Sequence, residues 1–170
     1  MNLISTAAPF TPAPQPFRQE IATAYSTNAG LPPTGVAFIE RTSAASPRCF
    51  ADGRWFALDQ QRWRELPTLR CASADTFVFP DAAAKPTTVA LPWRDVRQVL
   101  RHGAQTWIAT ETNLYAVTNG QLQSLGWPSR HRVHQIAAAP DGTLWVASGS
   151  GLFHSADGSW MPVRIPDNLG

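Results

Sequence analysis

Charge is scarce in this sequence, and lysine is almost missing from it. Only 15% of the 170 residues are Asp, Glu, Lys or Arg, against about 25% in an average soluble domain. Lys85 is the single lysine, and the other thirteen cations are arginines spread along the chain, with a formal net charge of +2. No basic run or one-sided cluster appears, so the electrostatic footprint of a nucleic-acid binder is not there. No window of 18 consecutive apolar residues occurs, which excludes a predicted membrane-spanning helix. Met1 to Phe17 lacks a basic start followed by an apolar stretch, so no signal peptide is read. The chain as it stands reads as cytoplasmic, and as periplasmic if a signal has been removed from it, which leaves the compartment open.

Cysteine is equally sparse. Cys49 and Cys71, 22 residues apart in strand-like apolar runs, read as buried free thiols. Neither has a C-x-x-C partner or a suitably spaced His, so no metal site is expected. No Gly-rich phosphate loop, Gly-x-Ser-x-Gly elbow or His-Glu-x-x-His occurs, and no cofactor is expected. The twelve acidic residues contain no suggestive pair of the kind a glycosidase requires. His131 and His134 stand three apart, which a strand sends to opposite faces, so they do not suggest a shared metal. No catalytic residue is therefore nominated.

What the chain does contain is proline, glycine and a period. Fifteen Pro and eleven Gly argue for many short elements joined by turns. The stretches Val96–Leu125 and Val133–Val163 have the same order of features. Trp107 and Trp145, Leu114 and Leu152, and Gly120 and Gly158 are each separated by 38 residues. Short apolar runs split by Gly and Asp turns at a period near 40 residues predict the four-stranded blades of a β-propeller. Cys49-Phe50-Ala51 is read as a diverged copy of Trp145-Val146-Ala147, with Gly53 in the place of Gly151, and Trp63 and Leu66 in those of Trp160 and Val163. The spacing from Cys49 to Trp63 is 14, against 15 from Trp145 to Trp160.

The expected organisation is a flexible Pro-rich leader over 1–16, then blades over 17–170. These divide into 30–67, an irregular 68–92, 93–128 and 129–165, with the start of another at 166–170. An early strand is expected at Ile21, Thr23 and Tyr25, and further ones at Leu69–Ser73, Thr76–Phe79 and Thr88–Leu91. The fold class is thus all-β, with about four antiparallel blades. Since propeller rings close with about four to eight, a partial ring or one completed by a partner is favoured over a closed monomer.

Tyr25-Ser-Thr-Asn-Ala-Gly30-Leu31-Pro32 followed by Val36-x-x-Ile39 resembles the start of a two-component regulator propeller repeat, a WD40-like bacterial β-propeller family. Val133-x-x-Ile136, Asp141-Gly142, Leu144-Trp145-Val146-Ala147-Ser148 and Gly151-Leu152 are similar to the full repeat. The resemblance spans roughly 17–170, densest over 133–163 and thinnest over 68–92. It implies a propeller in the sensing region of bacterial regulators, typically periplasmic and binding ligands such as carbohydrates. Cys49 and His102-Gly103 depart from it, standing where the family has Trp and Asp-Gly. No histidine-kinase, response-regulator or transmembrane segment accompanies the repeats.

Trp107 and Trp145 are read as interblade packing, with a ring of aromatic binding platforms as the alternative. Asp141-Gly142, Asn119-Gly120 and Asp157-Gly158 are read as hairpin turns needing positive φ. Trp127, Arg130 and His131, in a loop leading into a blade, form the candidate rim for a carbohydrate or anionic ligand. The leading expectation is a non-catalytic binding module that engages a ligand, a protein partner or a second copy through rim loops or open blade faces. A propeller-type lyase or hydrolase fragment and a structural ring-assembly fragment are the alternatives.

Overall fold

The computed structural model describes residues 27–40, 46–81, 85–128 and 132–164. The leader over 1–16, the strand at Ile21, Thr23 and Tyr25, and the segment 166–170 lie outside them. The described residues are all-β, with three four-stranded antiparallel sheets and one two-stranded hairpin. The first sheet holds β1 (Phe38–Glu40), β2 (Arg48–Ala51), β3 (Arg54–Asp59) and β4 (Arg62–Glu65). The hairpin follows as β5 (Phe77–Pro80) and β6 (Pro86–Val89). The second sheet holds β7 (Val96–His102), β8 (Gln105–Thr110), β9 (Leu114–Thr118) and β10 (Gln121–Ser124). The third holds β11 (Val133–Ala138), β12 (Leu144–Ser148), β13 (Gly151–Ala156) and β14 (Ser159–Pro162). Strand order follows chain order in each sheet, as short antiparallel hairpin connections dictate.

The second and third sheets pair in matching register. Trp107 faces Ala116 as Trp145 faces His154, and Ile108 faces Tyr115 as Val146 faces Phe153. Both first strands carry a bulge at the same place, between Val96 and Gln98 and between Val133 and Gln135. The outer hairpins turn on Asn119-Gly120 and Asp157-Gly158, where both residues of each pair have positive φ. That is the geometry whose twist matches paired strands.

The first sheet requires a correction to the register read from sequence. Ala51 pairs with Arg54 across Asp52-Gly53, and Ser148 pairs with Gly151 across Gly149-Ser150. Aligning these two-residue turns puts Arg54 in the place of Gly151. Cys49 then falls in the place of Val146 and Ile108, one residue away from Trp145. All three are fully buried. The spacing to the outer-strand residue becomes uniform: Cys49 to Trp63, Ile108 to Leu122 and Val146 to Trp160 are each 14 residues. A slip of one would have sent every side chain to the other face.

That shift also explains the hairpin. Phe50 and Trp55 stand where the second sheet has Ala109 and Leu114, so the first sheet presents large aromatic rings rather than small residues. The hairpin β5–β6 packs against those rings with Phe77, Val78, Phe79 and Val89, in one cluster with Val96, Val99 and Ile108 of the second sheet. Phe50 meets Phe77 edge-on at 5.2 Å, and the Trp55 indole N–H donates to the Val78 carbonyl at 2.7 Å. Residues 67–69 form a 3-10 turn rather than the start of a strand over 69–73, because Pro67 favours a first helical position. The Cys71 thiol beyond it accepts the Val78 N–H at 3.4 Å.

One buried ion pair ties first sheet, hairpin and second sheet together. Arg101 on β7 donates from Nε to Glu40 Oε1 on β1 at 2.7 Å, with Nη2 2.6 Å from the same oxygen. Its Nη1 donates to the carbonyls of Pro80 and Asp81 at 2.9 and 2.6 Å. Glu40 is buried, and desolvation pushes its pKa above the ordinary carboxylate value against the opposing pull of Arg101. Replacing Arg101 by Met removes the hydrogen-bonded counter-charge of that buried carboxylate and leaves only the cross-strand Arg48 near it, which should cost about 3–5 kcal/mol near pH 7. An acid whose folded pKa is raised binds more protons folded than unfolded, so stability falls as pH rises through the window above the unfolded pKa. The deficit of Arg101→Met should therefore shrink toward pH 4. Urea midpoints at the two pH values measure it, and a pH-independent deficit would contradict this role for Glu40.

Candidate functional site

Each four-stranded sheet has two apolar faces, because alternate residues of its central strands point opposite ways. On the second sheet, Val99 and Ile108 pack toward the first sheet and the hairpin. Its other face, with Trp107, Ala109, Leu114 and Ala116, packs on Val133, Ile136, Leu144 and Val146 of the third sheet. The third sheet then has a face left over. Ala147 and Leu152 pair on it, as do Trp145 and His154, with Met161 opposite His154 on β14.

Burial separates corresponding positions on these two faces. Trp107, Ala109 and Leu114 are 9%, 1% and 1% exposed, whereas Trp145, Ala147 and Leu152 are all partly open. Met161 is 49% exposed. The rings of Trp145 and His154 meet at a tilt of 34° with centroids 5.3 Å apart. No Asp, Glu, Lys or Arg stands among these residues, so the face is apolar apart from one imidazole and one amide.

The amide belongs to Gln135. Its counterpart on the second sheet is Gln98, at the same bulge position. Gln98 Nε2 donates to the Ile136 carbonyl at 2.9 Å, and Gln98 Oε1 accepts the Ile136 N–H at 2.8 Å. This two-pronged amide clamp joins the innermost strands of adjacent sheets. Gln135 occupies the same place on β11, opposite Ala147, and is exposed. The spacing Val96-x-Gln98-Val99 and Val133-x-Gln135-Ile136 carries this signal, which hydrophobic periodicity passes over because the informative residue is polar.

A second clamp sits at the opposite turn. Glu111, between β8 and β9, accepts from Arg97 Nη2 at 2.8 Å and from Arg132 Nη2, and those hydrogen bonds hold its pKa below the usual carboxylate range. Its backbone carbonyl also accepts the Val133 N–H at 2.8 Å. Two of the dispersed arginines thus serve a sheet-to-sheet joint.

Of the three expected rim residues, Trp127 alone lies among the described residues. Trp127 is buried, with its ring edge-on to Phe153 at 5.2 Å and to Trp160 at 5.1 Å. It lies inside the joint between second and third sheets because the Trp127-Pro128 segment leads directly into β11, so it offers no rim platform. Its indole N–H has no acceptor among the described residues. Arg130 and His131 lie outside the described residues. Asp141 accepts the Thr143 N–H at 2.9 Å, which lowers its pKa, and the Gly142 N–H donates to the Ala139 carbonyl at 2.9 Å. Gly142 has φ +87° and Gly151 φ +122°, conformations glycine adopts without a steric penalty. Both flank turns.

A cleft of about 120 Å³ opens between Trp107 and Trp160, lined also by Leu125, Leu144, Ser155 and Ser159. The Trp160 indole N–H is already committed to the Leu125 carbonyl at 2.9 Å. Ligand pockets usually run to roughly 300–1,000 Å³, so this cleft is a packing gap between sheets. Among the described residues no group of three or more His, Cys, Asp or Glu could hold a metal. Burial pushes the Cys49 thiol up to about 12, which keeps it protonated and unreactive. Glu40, the one acidic residue buried among those described, is held by Arg101 and has no His in its joint.

Comparison with known proteins finds no matching family model, no matching curated protein and no matching solved structure.

The asymmetry between Gln98 and Gln135 generates a stability prediction. Gln98→Ala leaves the buried Ile136 backbone groups unpaired and should cost about 1–3 kcal/mol. Gln135→Ala should change the stability of the single chain by less than about 0.5 kcal/mol, as surface substitutions do. Chemical unfolding at low protein concentration compares the two, and equal losses would overturn the assignment.

Proposed function

We propose that this chain is a non-catalytic binding module of propeller-type blades, and that it engages its partner through the outer face of the third sheet. One observation carries the reading. Trp145, Ala147 and Leu152 are partly open where Trp107, Ala109 and Leu114 are covered by the next sheet. A sheet with two apolar faces is built to be covered on both, and a half-covered one favours association. The resemblance to regulator propeller repeats supports a role in recognition rather than in turnover. The one carboxylate buried among the described residues, Glu40, is tied to an arginine, which supports the same conclusion. The proposed mechanism is burial of the Trp145–Leu152 patch, with the Gln135 amide fixing register by capping a partner strand. Apolar area supplies the driving force at about 25 cal/mol per Å².

A photo-cross-linking residue at Met161, which is exposed on the edge of this face, tests the proposal. One adduct of defined mass is expected, and Ala147→Glu should remove it by placing a charge in the centre of the face. A control probe at Asp75, on the loop before β5, should give no such adduct. Failure to form any adduct at position 161, or an adduct indifferent to Ala147→Glu, would refute the reading.

A further inference from the structure

We infer that the occupant of this face is a second copy of the same chain, docked head to tail so that two copies close one ring of six four-stranded sheets. The inference rests on the open-face reading above and goes further by naming the partner.

The first sheet supplies the complementary surface. Its register makes Ile39, Cys49, Phe56 and Trp63 the counterparts of Ile136, Val146, Phe153 and Trp160, since Ile39 pairs with Cys49 and Cys49 with Phe56. Those third-sheet residues are the ones packed against the second sheet. Leu31-Pro32 leads into the first sheet as Trp127-Pro128 leads into the third, and each follows a glycine of positive φ, Gly30 at +94° and Gly126 at +60°. Leu31 packs on Cys49, Phe56 and Trp63, just as Trp127 packs on Phe153 and Trp160. The first sheet's outer face therefore repeats the residue order of the surface that covers the second sheet; Cys49, Phe56 and Trp63 are already 0%, 5% and 7% exposed within the single chain, so the part of this face left open is at Ile39.

Exposure points to the same two faces. Ile136 and Val133 are 1% and 3% exposed, whereas Ile39 is 62% and Val36 37% exposed. Val36, Ile39 and Met161 are the three exposed large hydrophobic residues among those described. Ile39 lies on the first sheet's outer face and Met161 on the third sheet's, while Val36 stands just before β1. Gln135 stands ready to clamp the backbone of Ile39 of the second copy, as Gln98 clamps that of Ile136. A heterologous contact of this kind closes when its rotation permits. Two chains, each with three four-stranded sheets among its described residues, give six, within the range of about four to eight in which propeller rings close.

Solution mass with paired variants tests the inference on the full chain. The wild-type chain should sediment at twice its 18.5 kDa mass in the tens of micromolar. Ile39→Glu, at an exposed site, and Ala147→Glu, at a small and partly open one, should each weaken self-association at least tenfold with unchanged circular dichroism. Gln135→Ala should weaken it several-fold. An equimolar mixture of Ile39→Glu and Ala147→Glu should recover a heterodimer, because one intact contact remains between the sound third sheet of one and the sound first sheet of the other. A wild-type chain at monomer mass overturns the inference, as does a mixture that stays monomeric. A dimer dissolved by Ala147→Glu but indifferent to Ile39→Glu would show two third sheets meeting, and also overturns it. A Met161 adduct with a different protein would remove the second copy as occupant while leaving the open-face reading standing.

Discussion

Everything in this structure depends on the covering of one sheet face by the next. A four-stranded sheet whose central strands are apolar on both sides cannot hide its own side chains, so each sheet needs two neighbours. The second sheet has them. Ile108 and Val99 are sealed under the first sheet and the hairpin, while Trp107, Ala109 and Leu114 are sealed under the third sheet. Fully burying a side chain of this size contributes about 1.5–3 kcal/mol, so a handful of such residues outweighs every surface ion pair in the chain. The polar contacts have a different task. Gln98, Arg101 and Glu111 each bridge two successive sheets, and they fix how one sheet is set against another rather than whether it docks. The scarcity of charge follows from this layout, since most residues of the central strands face another sheet.

Much of this was legible in the sequence. The 38-residue offset between Trp107 and Trp145 reports two sheets with the same pairing, because turn residues such as Asn119-Gly120 and Asp157-Gly158 fix register wherever they recur. The first sheet was harder to read. Its β2–β3 turn is Asp52-Gly53 where the third sheet has Gly149-Ser150, and setting Cys49 against Trp145 and Gly53 against Gly151 places each one residue out, in opposite directions. Only the hairpin pairing reveals that Cys49 does the work of Val146. The irregular stretch at 68–92 was unreadable for another reason: β5–β6 packs against Phe50 and Trp55, a requirement set across the sheet interface.

The proposed binding surface carries little signal in its residues. Loop position suggested Trp127, Arg130 and His131, yet Trp127 is drawn into the joint beneath Phe153 and Trp160. The residues that distinguish the open face are ordinary ones, an alanine, a leucine and a glutamine. They are marked only by the contrast in burial between corresponding positions. A glutamine that clamps a backbone in one sheet and stands exposed in the next carries no local motif. The signal lies in the comparison of one sheet with another.

The complementarity of the first and third sheets' outer faces is the central claim, and amide hydrogen exchange at rising protein concentration tests it most directly. Slowing of exchange in residues 36–40 and, in parallel, in residues 135–154 is the predicted result, with the strands of the second sheet unchanged. Concentration-independent exchange in both segments, or slowing in one without the other, would contradict it.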